Sequence, residues 1–266
     1  NFKKLCELAT VINIMLKIRL IPTLLLKDGR LIKTKQFDTF RDVGNPKTVA
    51  RIYEAQNADE LIFLDITATN EKRNFLLDII TSVAEECFIP ITAGGGIRTV
   101  GQVTDILKHG ADKVAINTMI VEQPNFIKEL VNKFGSSTIV VSIDYKKNKF
   151  GEDEVFIMRG QKATGIHPLE LAKKVEEYGV GEILLTSIDK EGTMSGFDIE
   201  MIKNIADNIS IPLIASGGVG TVQDLVDGIK KGHASAVSTA SMLNFTDQTI
   251  FKCHTFMKHS GLPVRV

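Results

Sequence analysis

The feature that most constrains this chain is that it says the same thing twice. The stretch IPITAGGGIRTVGQVTDILKHGADKVAINTM, from Ile89, is echoed by IPLIASGGVGTVQDLVDGIKKGHASAVSTASM, from Ile211. Proline, glycine doublet, amphipathic stretch and following apolar run recur at an offset of about 122 residues, close to half the chain. A repeat of that size and kind is what a duplicated half-barrel requires.

The rest of the chain has the same grammar. Short β-rich runs begin at Ile18, Glu60, Ile89, Lys113, Thr138, Glu182, Ile211 and Ala236. Between them lie helical patterns such as NPKTVARIYEAQN, VGQVTDILKHG, QPNFIKELVNKFG and HPLELAKKVEEYG, several ending on a C-capping glycine. Eight strand and helix pairs predict an α/β fold, a single (β/α)8 TIM barrel with a two-fold half-barrel repeat. The 266 residues suit one such domain. The barrel is expected over residues 15–266, in halves of approximately 15–135 and 136–266. Residues 1–14, ahead of Met15, read as an N-terminal extension of uncertain origin without assigned function.

Composition removes several function classes. Lys+Arg and Asp+Glu balance at 32 each, so bulk charge calls for neither nucleic acid nor an anionic membrane. No apolar run approaches the length of a membrane span. Cys6, Cys87 and Cys253 are odd in number and form no CxxC pair, which suggests reduced thiols and a cytoplasmic protein. The five histidines are scattered, none at ligand spacing from a cysteine, so no metal is expected. No cofactor is called for.

Local chemistry must therefore bind any anion. Gly94, Gly95 and Gly96 follow one apolar strand run and precede a helix; Gly217 and Gly218 do the same in the second repeat. Glycine there lets backbone N–H groups close on an anion, and a helix start adds a favourable dipole. One unit later stand Asn117 and Thr118 in the first half, and Ala240 and Ser241 in the second. Two such cradles across one mouth imply a small-molecule substrate with a phosphate at each end.

Asp144 ends the fifth strand run, VVSIDYKK, at the rim where barrels place catalytic groups, and a carboxylate there suits general acid or base work. Its counterpart ends the first run, IPTLLLKDGR, and that position is Leu25, which carries no proton. Residues 27–45 are expected to form a long, charged, mobile lid, with Lys33 placed either to meet a phosphate or to be solvated. KKNKFGEDEVFIMRGQKATG, after the fifth run, predicts a rim hairpin. At the opposite end, Arg19, Glu60, Lys113 and Glu182 start strand runs; they either meet solvent or close a ring of alternating charge over the barrel floor.

Taken together, KDGR at 27–30, ADELIFLDITAT at 58–69, GGGIR at 94–98, ADKVAIN at 111–117, GEILLTSID at 181–189 and IPLIASGG at 211–218 resemble the cyclase subunit of imidazole glycerol phosphate synthase, a lyase of histidine biosynthesis. The resemblance implies a bis-phosphate substrate and a glutaminase partner that docks on the floor and sends ammonia up the barrel. It implies a catalytic role for Asp144, a loop lysine at Lys33, a phosphate-binding loop at Glu191 and Gly192, and an ammonia gate formed by Arg19, Glu60, Lys113 and Glu182. Leu25 replaces the family's second catalytic aspartate, Thr23 a cysteine, and Glu191 an aspartate. A retained gate with a missing acid is similar to the paralogous branch that delivers glutaminase ammonia to a separate sugar-modifying synthetase. Three readings follow: an ammonia-handling subunit of that kind, an orthodox cyclase that tolerates Leu25, and a non-catalytic scaffold that regulates the glutaminase.

Overall fold

The computed structural model describes residues 17–67 and 77–265; the expected extension at 1–14 and the last two residues of ADELIFLDITAT lie outside them. The strands are β1 Arg19–Lys27, β2 Arg30–Lys35, β3 Thr39–Gly44, β4 Leu61–Asp65, β5 Ile91–Gly94, β6 Lys113–Ile116, β7 Ile139–Lys147, β8 Asp153–Ile157, β9 Lys162–Ala163, β10 Glu182–Ser187, β11 Leu213–Ser216 and β12 Ala236–Thr239. The helices are α1 Pro46–Ala55, α2 Leu77–Ala84, α3 Val100–Lys108, α4 Thr118–Glu122, α5 Pro124–Phe134, α6 Pro168–Glu177, α7 Ile199–Ala206, α8 Val222–Lys230, α9 Ser241–Phe245 and α10 Ile250–His259.

Eight of the strands pair in parallel in the order β1, β4, β5, β6, β7, β10, β11, β12, and β12 returns to β1, so no edge is left open. Each begins within two residues of a run read from the sequence. Helix boundaries have local causes. Thr99 caps α3 in a capping box with Gln102, and Thr221 caps α8 in one with Asp224, at the same place in each repeat. Gly110, Gly135 and Gly179 follow α3, α5 and α6 with positive φ, as their helix-stop signals predict.

Side chains alternate between the barrel interior and the helical layer, so successive interior positions stack in levels. The lowest level is charged, with Arg19, Glu60, Lys113 and Glu182. Above it Ile21, Ile62, Ala115, Val140, Leu184, Ile214 and Ala236 form a separate apolar cluster inside the barrel. Two residues further along the same strands come Thr23, Ser142, Thr186 and Ser238, all but Thr23 almost fully buried. Leu25 and Asp144 lie one level higher, at the C-terminal mouth.

One expectation needs correction. Residues 27–45 do not form a lid loop: β2 and β3 make an antiparallel ribbon that continues β1. Its charges misled because β2 buries the whole run from Leu31 to Thr34, Lys33 included, while Lys35 and most of β3, Arg41 among them, face outward. The second half has the expected hairpin, with β8 antiparallel to β7 and β9 added beyond it.

Candidate active site

A pocket opens at the C-terminal mouth and brings together Leu25, Lys33, Asp144, Glu191 and both glycine clusters. The strand registers fix how the two halves correspond. Leu25 sits opposite Leu64 on β4, and Asp144 sits opposite Thr186 on β10. Pro22 opposes Thr239 on one side of β1, as Val141 opposes Ile116 on one side of β7. Both neighbours therefore place Leu25 at the station of Asp144.

Around Asp144 the barrel builds a polar nest. Asn117 Nδ2 donates to Asp144 Oδ2 at 3.1 Å and to the Ser142 carbonyl at 2.9 Å, and Ser142 Oγ donates to Oδ1 at 3.3 Å. Burial pushes the Asp144 carboxyl up to about 7; hydroxyls of Ser142 and Thr186 oppose this, and the charge of Glu191 adds to it. Such a group is poised to take or give a proton near neutrality. Leu25 itself offers no donor or acceptor in its side chain. Leu25 is buried, and the hydroxyls of Thr23 and Ser238 below it bond each other at 2.5 Å.

The cradles are built alike. Gly95 and Gly217 have φ of 110° and 92°, and a Cβ would lie 2.2 Å from the Asp65 carbonyl oxygen in one case and 2.7 Å from that of Ser187 in the other. Asp65 and Ser187 close β4 and β10, the same place in each repeat. Only glycine fits both the torsion and the approach. Gly96 and Gly218 also have positive φ. Asn117 and Ala240, the residues before α4 and α9, make no side-chain cap, so Thr118 and Ser241 begin helices whose first amides no side chain caps.

Four of the residues expected at the anion sites make further contacts within the protein. Glu191 offers no donor: its N–H goes to the Ser187 carbonyl at 2.9 Å, and its buried carboxylate pairs with Lys33. Lys33 is correspondingly buried in an ion pair rather than solvated. Gly192, with φ of 71°, packs against the ribbon, where a Cβ would lie 2.4 Å from the Thr34 carbonyl oxygen. Asn117, read as an anion donor, gives its amide to Asp144.

At the floor the four charged residues do close a ring. Arg19 Nη1 lies 2.9 Å from Glu60 and 3.1 Å from Glu182, and Lys113 Nζ lies 3.0 Å from each. Thr92 Oγ1 donates to the remaining Glu60 oxygen at 2.6 Å. Two charges of each sign cancel, and mutual pairing offsets their desolvation. Sequence reading missed Ser142, Thr186 and Thr92. Ser142 had a signal, two residues before Asp144 and so on the same face; the others emerge only from cross-strand register.

Fold and pocket together define a closed (β/α)8 barrel with a cavity at its C-terminal mouth. Within that class, the histidine biosynthesis protein family matches residues 19–249, and the chain belongs to it. Among the described residues, no helix is long and apolar enough to cross a membrane.

Proposed function

We propose that this chain is the synthase subunit of a glutamine-dependent amidotransferase. It accepts ammonia from a separate glutaminase docked beneath the floor and holds a ligand with a phosphate at each end in its mouth. The observation that carries the reading is Leu25 at the station of Asp144, above an intact charge ring. The ring is neutral overall, and the apolar level above it suits passage of neutral ammonia, since an ammonium ion there would be desolvated without a partner. The glycine cradles favour anions at opposite sides of the mouth, and Lys33, paired with Glu191, lines the same pocket.

Asp144 supplies one acid/base group of tuned proton affinity. Leu25 cannot supply the second, and loss of one such group typically removes about two to four orders of magnitude of rate. The ring-forming cyclase reaction is thereby impaired, and the ammonia goes to an acceptor on another protein, in keeping with the sugar-modifying branch. The orthodox histidine-pathway cyclase is the second reading, favoured by the proton affinity of Asp144.

Calorimetric titration tests the ligand class. The family's ribulosyl aminoimidazole carboxamide nucleotide should bind about two orders of magnitude more tightly with both phosphates than with either one removed. Equal affinities for the bis-phosphate and both mono-phosphates would refute the two-cradle reading.

A further inference from the structure

The pairing of Lys33 with Glu191 has consequences beyond that reading, although it rests on Lys33 being a phosphate ligand. Lys33 lies in the middle of β2, in the first half; Glu191 lies in the turn after β10, in the second. Their ion pair joins residues 158 apart in sequence, and both side chains are 7% exposed. More of the ribbon is held on the same turn. The Gln36 N–H donates to the Glu191 carbonyl at 2.9 Å, and Gln36 Nε2 to the Asp189 carbonyl at 2.9 Å. The Phe37 N–H reaches Glu191 Oε2 at 3.4 Å. Gln36 and Phe37 both have positive φ without being glycine, a conformation that survives where surrounding contacts over-determine it.

The Glu191 carboxylate therefore sits where an anionic ligand group would approach Lys33. A carboxylate at that place has the charge sign and the oxygen acceptors of a phosphate edge. An incoming phosphate must compete with it, and a released Glu191 cannot stay buried beside the phosphate without a partner.

We propose that Glu191 is an internal competitor for the anion subsite of Lys33, a specificity-determining residue that sets how strongly an anion must bind before the ribbon exchanges its carboxylate for a ligand phosphate. A doubly charged phosphate carrying further anchors meets that threshold; a simple monoanion does not. Glu191 also lines the pocket that holds Asp144, so the exchange takes place in the same cavity as the acid.

The test is titration of the full chain with inorganic phosphate, comparing the unaltered protein with Glu191→Gln, Lys33→Met and the double variant, each checked for cooperative unfolding. Glu191→Gln keeps the shape of the side chain and removes its charge. It should tighten phosphate binding about tenfold or more, and the gain should vanish when Lys33 is also replaced. In the unaltered protein, saturating phosphate should speed hydrogen exchange at the Gln36 and Phe37 amides, a readout that needs no variant. Phosphate binding that Glu191→Gln leaves unchanged or weakens overturns the competitor role while leaving phosphate binding in the mouth standing. A gain that persists with Lys33→Met also overturns it. Absence of phosphate binding in every form, with no change in exchange, overturns the phosphate-ligand reading and the competitor role with it.

Discussion

Leu25 on β1 and Asp144 on β7 occupy the same station in the two halves of the barrel, one opposite Leu64 and the other opposite Thr186. A barrel built from a repeat offers two equivalent rim positions for a carboxylate, and here one is filled by an acid and the other by a buried leucine. The asymmetry is local, because cradles and capping boxes remain paired across the repeat.

Asp144 should make stability depend on pH in a defined sense. Its carboxyl is raised from 3.8 to about 7 in the folded protein, so ionising it costs stability. That cost is absent below about pH 4, grows between pH 4 and 7, and is constant above. Asp144→Asn should therefore gain about 2–4 kcal/mol over the unaltered protein at pH 8, and the gain should fade toward pH 4. Denaturant unfolding of both proteins at the two pH values measures it; a difference that does not change with pH would contradict the assigned environment.

The same residue illustrates how far the sequence could be read. Asp144 was legible because a polar residue ending an apolar strand is conspicuous, and the strands and helices were legible because their periods of two and 3.6 are local. The ribbon at 30–44 was not, because its charges, among them a lysine that is buried in an ion pair, masked the short buried run from Leu31 to Thr34. The Lys33 and Glu191 pair was not either, since nothing in the neighbourhood of one residue reports a partner in the other half. Asn117 was found as a candidate anion donor, but its side-chain bond to Asp144 was not foreseen. Its position one strand over from Asp144 is a property of the closed barrel, which places β6 beside β7.

The floor ring should be costly to break from one side. Glu60 is 2% exposed and receives Arg19, Lys113 and Thr92. Glu60→Gln should destabilise the protein by about 1–2 kcal/mol, because it leaves two half-buried cations sharing one remaining carboxylate. The exposed Arg30–Asp42 pair should be removable without measurable effect. Parallel unfolding curves check both, and a Glu60→Gln protein as stable as its parent would mean that the ring is open to solvent.

The cradle glycines should resist the smallest substitution. Gly95→Ala and Gly217→Ala force a Cβ toward a carbonyl oxygen at positive φ, and each should cost about 1–3 kcal/mol and abolish tight binding of the bis-phosphate. Gly101→Ala, inside α3 and meeting only Thr99 Oγ1 at 3.8 Å, should instead be neutral or stabilise by about 0.5 kcal/mol. Thermal unfolding and titration calorimetry together separate strain from lost binding; equal behaviour of the three variants would remove the special role of the two cradles.

The central claim is that Leu25 withholds the second acid/base group from a barrel that keeps Asp144 and both glycine cradles. The most direct measurement is to incubate the purified chain, and its Leu25→Asp variant, with the ribulosyl aminoimidazole carboxamide nucleotide and excess ammonium salt, and to follow loss of the nucleotide. The account predicts little or no turnover by the unaltered protein and a gain of about two orders of magnitude or more in the variant. Turnover by the unaltered protein at the rate of the variant would contradict it, and would make this barrel a working cyclase of histidine biosynthesis.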